Sequence, residues 1–149
     1  MYCTRDDMVS RFGIEELSEL TDRDGSAGVS GIVDNVLNQA MDDAGATIDG
    51  YLGGRYDLPL AVVPRVLTRT ACDLARYYLY DEQLGEEHQA AKRYTEAISY
   101  LEKVGRGVLQ LGLDRNNARP ETSNTAVMTS AGSVFGRPSG GNRSGKGFI

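Results

Sequence analysis

Apolar residues recur at three- and four-residue steps over three long stretches of this chain. Val33, Val36, Leu37, Ala40, Met41, Ala44, Ile48, Tyr51 and Leu52 make the first. Leu67, Ala71, Leu74, Ala75, Tyr78 and Leu79 make the second, and Ala90, Ala91, Tyr94, Ala97, Ile98, Leu101 and Val104 the third. That spacing is one apolar face of a helix with 3.6 residues per turn, so three long helices are predicted. The first follows Ser30, the second starts at Pro64 and ends near Gly85, and the third spans about Glu86 to Val104. A shorter helix is expected over Arg5–Phe12, with Thr4 as N-cap, Asp7 at the capping-box position and Gly13 as the stop. "IEELSEL" (14–20) offers another turn or two, and "TDRDGSAGVSG" (21–31) reads as a polar loop.

The stretch "IDGYLGGRYDLPL" (48–60) interrupts the helical pattern. Gly53-Gly54 suits the left-handed conformation that ends many helices, and Gly45 and Gly50 suit a close helix approach. Pro59 has no amide proton and disfavours helix in Leu58. Residues 55–63 are therefore expected as an extended crossover that lays Leu58, Leu60 and Val62 on the core. "VLQLGL" (108–113) alternates weakly, as a short strand or an extended arm would. The fold class expected is all-α: a small bundle of three long helices plus a short N-terminal helix, with an extended C-terminal arm.

Charge divides the chain at the same point. Residues 1–113 hold 11 Lys/Arg against 19 Asp/Glu, a net of −8. Residues 114–149 hold 5 against 2, a net of +3. Two regions follow: a helical domain over 1–113 and a Gly/Ser/Arg-rich tail over 114–149. The tail is poor in large apolar residues and cannot alone bury enough surface to offset its ordering entropy. It is expected to gain shape only on other chains, and a basic tail seeks an acidic surface or a nucleic acid. No signal-peptide pattern opens the sequence and no apolar run approaches a bilayer span, so a cytosolic protein is expected.

The residues offer no catalytic constellation. His88 is the only histidine and has no metal-ligand spacing around it. Cys3 and Cys72 do not make a disulfide framework, and a buried thiol is expected at Cys72. Asp42 and Asp43 are adjacent, so their side chains diverge on a helix. Gly140–Gly147 spells G-x-x-x-x-G-K-G, but Gly147 stands where a phosphate loop needs Ser or Thr, and too little chain follows it for the required helix. No enzyme activity, cofactor, metal or membrane partner is therefore expected. "RYYLY" (76–80) puts aromatics on more than one helix face, which makes Tyr77 and Tyr80 candidates for a subunit interface.

Taken together, the short N-terminal helix, "IDGYLGGRYDLPL", "VPRVLTRTACDLARYYL" (63–79) and the charged helix after them resemble the head–tail connector, or adaptor, proteins of Mu-like tailed phages. The resemblance covers about residues 2–113. It implies a helical, non-catalytic virion protein at the head–tail junction, assembled in the host cytoplasm. Such adaptors form a homo-oligomeric ring, commonly of about twelve subunits, with two different contact faces on each copy. The ring lies beneath the portal protein, passes DNA without specific binding and docks a tail-side connector or stopper. The tail would then contact the portal or a neighbouring subunit, with Phe135, Arg137, Arg143, Lys146, Phe148 and Ile149 as anchors. The alternative is a small helical nucleic-acid-binding regulator with a basic arm; its helix face would use Arg65, Arg69 and Arg76.

Overall fold

A computed structural model describes residues 1–25 and 31–113. Five helices make up the described chain: α1 (Arg5–Phe12), α2 (Ile14–Thr21), α3 (Asp34–Leu52), α4 (Arg65–Leu79) and α5 (Gln89–Gly105). The fold is all-α, as the periodicity predicts. The expected short helix over Arg5–Phe12 is present, and the further turn or two expected at 14–20 is a second eight-residue helix.

Local chemistry explains the first corner. The Thr4 hydroxyl accepts from the Asp7 amide at 3.2 Å, and the Asp7 carboxylate accepts from the Thr4 amide at 2.9 Å. This reciprocal cap satisfies donors that a helix start leaves open. Gly13, at φ +84°, both stops α1 and precedes α2, a backbone state that a β-carbon would strain. At the far end of α2, the buried Thr21 hydroxyl donates to the Leu17 carbonyl at 2.7 Å and accepts from the Val33 amide at 2.9 Å. The loop between α2 and α3 is thereby closed at its base.

The centre of the molecule is α4, which packs against both α3 and α5. Nine of its fifteen residues are buried, so it is covered on more than one face. From α3 come Leu37, Ala40, Met41, Ala44, Ile48 and Leu52; from α5 come Ala90, Ala97, Leu101 and Val104. These are the faces the spacing predicts. Cys3 and Cys72 are buried free thiols, and their side chains meet. The hydrogen bond to Cys3, with burial, pushes the Cys72 thiol up.

Several boundaries differ from the sequence reading. Helix α4 ends at Leu79, not near Gly85, because Tyr80 turns to an extended conformation (φ −74°, ψ 125°). Helix α5 begins at Gln89, three residues late, because the His88 ring caps it: Nδ1 accepts from the Ala90 amide at 3.1 Å. Gly53 closes α3 in a right-handed conformation (φ −61°, ψ −22°), so the helix end uses no left-handed glycine. Val62 is exposed, whereas Leu60 is buried and Leu58 packs on the core. Residues 108–113 are bends and irregular backbone, not a strand.

Neither Gly45 nor Gly50 serves a close approach. A β-carbon at Gly45 would meet Tyr2 at an ordinary 3.8 Å, and one at Gly50 would meet nothing within 4 Å. Gly50 lies inside α3 on its exposed side. Gly50→Ala is therefore expected to stabilise the protein by up to about 1 kcal/mol, read as a Tm rise of a few degrees in thermal unfolding. An unchanged or lower Tm would show that Gly50 has a contact outside the isolated chain.

Candidate functional site

The conspicuous stretch at residues 48–60 meets the last described residues of the chain, after α5. After α3, the Arg55 and Tyr56 amides both donate to the Leu52 carbonyl at 2.9 Å, which turns the chain sharply. That turn aims two side chains at residues more than fifty positions away. The Arg55 guanidinium covers Gly107, which sits at φ +80°; a β-carbon there would fall on the guanidinium itself. The Tyr56 hydroxyl accepts from the Leu111 amide at 3.1 Å. Just before the turn, Asp49 accepts from the Tyr2 hydroxyl, which ties the N-terminus to the same corner; burial, and then this bond, push the Tyr2 phenol up.

On its side, the end of α5 is shaped to fit. The Val108 and Leu109 amides both donate to the Lys103 carbonyl, at 2.8 and 3.1 Å, so the chain folds back over the last turn. Gly105 lies against the Tyr51 carbonyl, where no larger residue has room. Leu111 is buried, while Val108 and Leu109 remain exposed. The end of α3 and the turn after it thus hold the segment 105–111.

The tyrosines form a second feature. Tyr77 stacks on Tyr94 with ring centroids 4.0 Å apart and planes at 20°, and Tyr78 meets both rings edge-on. The Tyr78 and Thr47 hydroxyls are hydrogen-bonded at 3.0 Å, which links α3 to this cluster. Burial and the neighbouring phenols push Tyr94 up. Tyr77 and Tyr94 also line an open cleft of about 590 Å³ with Leu84 and Lys92. Tyr80 sits edge-on to His88 at 5.2 Å, beyond the end of α4. Tyr77 and Tyr80 are both half-buried and have partners in their own chain, and they lie in different clusters. The other anchors, Phe135, Arg137, Arg143, Lys146, Phe148 and Ile149, lie outside the described residues.

Of the three arginines on the basic-face alternative, Arg76 is not at the surface. Its guanidinium is paired with Glu16 at 2.6 Å and lies 4.8 Å over the Phe12 ring. Arg69 stands beside Asp73 at 3.7 Å, and Arg65 is exposed. Among the described residues no helix is long and apolar enough to cross a membrane.

A family model described as "Bacteriophage Mu, Gp36" matches residues 2–130. The chain belongs to the Mu Gp36 family. It is 38% identical over 149 residues to the Mu-like prophage FluMu protein gp36 of Haemophilus influenzae, covering all of this chain and 99% of that protein. It is 36% identical to gene product J of Escherichia phage Mu, with 99% of each chain covered. The family match runs past the helical body into residues 114–130, so part of the basic segment belongs to what Gp36 proteins share in sequence. Function in a Gp36 protein therefore has to account for body and segment together. The grip of Arg55 and Tyr56 on residues 107–111 is the structural link between them.

Proposed function

We propose that this chain is a head–tail adaptor of the phage neck. Copies assemble into a ring of about twelve subunits beneath the portal, pass the packaged DNA and offer a docking surface to a tail-side connector or stopper protein. The protein performs no catalysis. The observation that carries this reading is the rooted C-terminal segment. Arg55 and Tyr56 of an acidic body hold residues 107–111, directly before a basic segment, so one chain carries two regions of complementary charge. Fully extended, residues 114–149 reach on the order of 120 Å, ample to cross a neighbouring subunit or touch the portal.

Electrostatics fits the same role. DNA must slide through a connector without sticking, and a lumen of Asp and Glu keeps contacts weak, whereas Lys and Arg would bind by counterion release. The burial of Arg76 against Glu16 weakens the nucleic-acid-binding alternative, since it removes one of three cations from that helix face.

The test is to mix the full chain with the portal protein of the same phage, follow the mass by sedimentation and image the complex. The expected product is a closed ring seated on the portal, with acidic side chains facing the channel. A chain that never joins the portal overturns the reading. So does a lumen lined with Lys and Arg, and salt-sensitive DNA binding by the free chain would favour the regulator instead.

A further inference from the structure

Between α4 and α5 lies a cleft of about 200 Å³ whose floor is the carboxylate of Asp73. Only 7% of that side chain is exposed, and its Oδ1 has no hydrogen-bond partner. Arg93 Nη1 stands 3.6 Å from Oδ1 and Arg69 Nε 3.7 Å from Oδ2, which supplies charge but falls outside hydrogen-bond distance. Burial pushes the Asp73 carboxyl up, against the pull of these cations. Buried polar atoms in native proteins find donors, and one left without a partner calls for an explanation.

We propose that this cleft receives an arginine side chain from residues 114–149 of a second copy of the chain. The walls match that guest. Val66 and Tyr100 give apolar surface for a methylene stem, while Asp73 and Glu96 give two carboxylates for a charged head. A planar guanidinium presents a rigid fork of donors and stacks flat on an aromatic ring, whereas a lysine ammonium is a compact point charge. The side chains of Arg69 and Arg93 are 63% and 39% exposed, so both have water to swing into when another cation enters.

The donor segment is the complement of this site. It carries Arg115, Arg119, Arg137, Arg143 and Lys146 against two acidic residues, and its many Gly, Ser and Asn residues have small side chains. A second groove continues from the cleft, sharing Glu96 and Tyr100, and runs past Lys103 to Leu109. A guest segment lying along α5 thus has a track leading to Asp73. The assignment to a second copy rests on the adaptor reading. A chain that filled its own cleft would close on itself, whereas a donor on one copy and an acceptor on the next generate a ring.

Two full-length variants, their combination and one peptide test this. In the first variant the five basic residues of the segment become Gln; the second is Asp73→Ala. The probe is a synthetic peptide of residues 114–149, titrated calorimetrically into the first variant with and without Asp73→Ala. Binding is expected to weaken about tenfold or more when Asp73 is removed. The Tm of Asp73→Ala should hold or rise, since the carboxylate it removes is buried without a donor; a fall would mark Asp73 as structural. Equal peptide binding with and without Asp73 overturns the proposal. In sedimentation each variant should lose the self-association of the wild type, and a mixture of the two should regain heterodimers. Variants that associate as the wild type does, a mixture that stays monomeric, or a wild type that is itself monomeric each overturn the second-copy assignment. Rings that form on the portal despite Asp73→Ala would sink this inference and leave the adaptor reading standing. Asp73-dependent peptide binding in a chain that never meets the portal would do the reverse.

Discussion

Glu16→Ala is expected to cost about 2–3 kcal/mol of unfolding free energy, and Arg76→Met in that background to return most of the loss. Arg76 projects from α4 with its side chain only 10% exposed. Glu16 on α2 neutralises it at 2.6 Å, and Phe12 on α1 lies beneath the guanidinium at 4.8 Å. One buried cation therefore ties the N-terminal helix pair to the central helix. Deleting the carboxylate leaves that cation enclosed with the Phe12 face and the weaker field of Asp73 to offset its desolvation, and this sets the penalty. An unbranched apolar chain of similar length keeps the packing against Phe12 and removes the charge. The effect is thus asymmetric: one single change is costly and the double change is mild. Urea unfolding of the two proteins reads it directly. If the double variant were as unstable as Glu16→Ala, packing rather than buried charge would be the main term. If Glu16→Ala were neutral, the guanidinium would have an escape to water that its burial denies.

That ion pair also shows where sequence reading reaches its limit. The helical spacing of Leu37, Met41, Ile48 and Leu52 is a local property of a few turns, and the structure buries all four. The same holds for Ala97, Leu101 and Val104 on α5. Arg76 reads along the chain as one more cation beside Arg65 and Arg69 on a helix face. Its partner stands sixty residues earlier, and no periodicity connects them. His88 reads as a surface histidine near a helix start; a ring nitrogen capping a backbone amide is not among the common N-cap types. The end of α4 is misplaced for a related reason. "DEQLGEE" carries no strong stop before Gly85, and what ends the helix is the extended turn at Tyr80, which sits edge-on to His88.

The site was half legible. "IDGYLGGRYDLPL" stands out because it breaks the helical pattern, and its place in the chain marks the end of α3 correctly. What Arg55 and Tyr56 touch is not local. Their targets at Gly107 and Leu111 emerge only when α3 and α5 lie side by side. The charge divide near residue 113 was visible from composition alone, yet composition does not tell which groove on the body is suited to a basic guest. That information lies in one unpartnered carboxylate oxygen of Asp73, which becomes conspicuous only once α5 has covered it.

Glycine gives the sharpest contrast, and it leads to the second large effect. Gly105→Ala is expected to destabilise the protein by about 1–3 kcal/mol, although the substitution raises helix propensity. Gly105 is the last residue of α5, and a β-carbon there would lie 2.8 Å from the Tyr51 carbonyl oxygen. That oxygen belongs to the backbone of α3, so relief requires moving one helix against the other rather than turning a side chain. Such a shift would be felt just beyond it, where Arg55 covers Gly107 and Tyr56 holds Leu111. Thermal unfolding should show a lower Tm, the reverse of Gly50→Ala in the last turn of α3. Hydrogen exchange at the Leu111 amide should quicken by more than the global loss of stability accounts for, because its acceptor on Tyr56 moves with α3. A Tm unchanged by the substitution would mean that α3 and α5 have slack at this crossing. The exit of the C-terminal segment would then be set by the Arg55 and Tyr56 contacts alone.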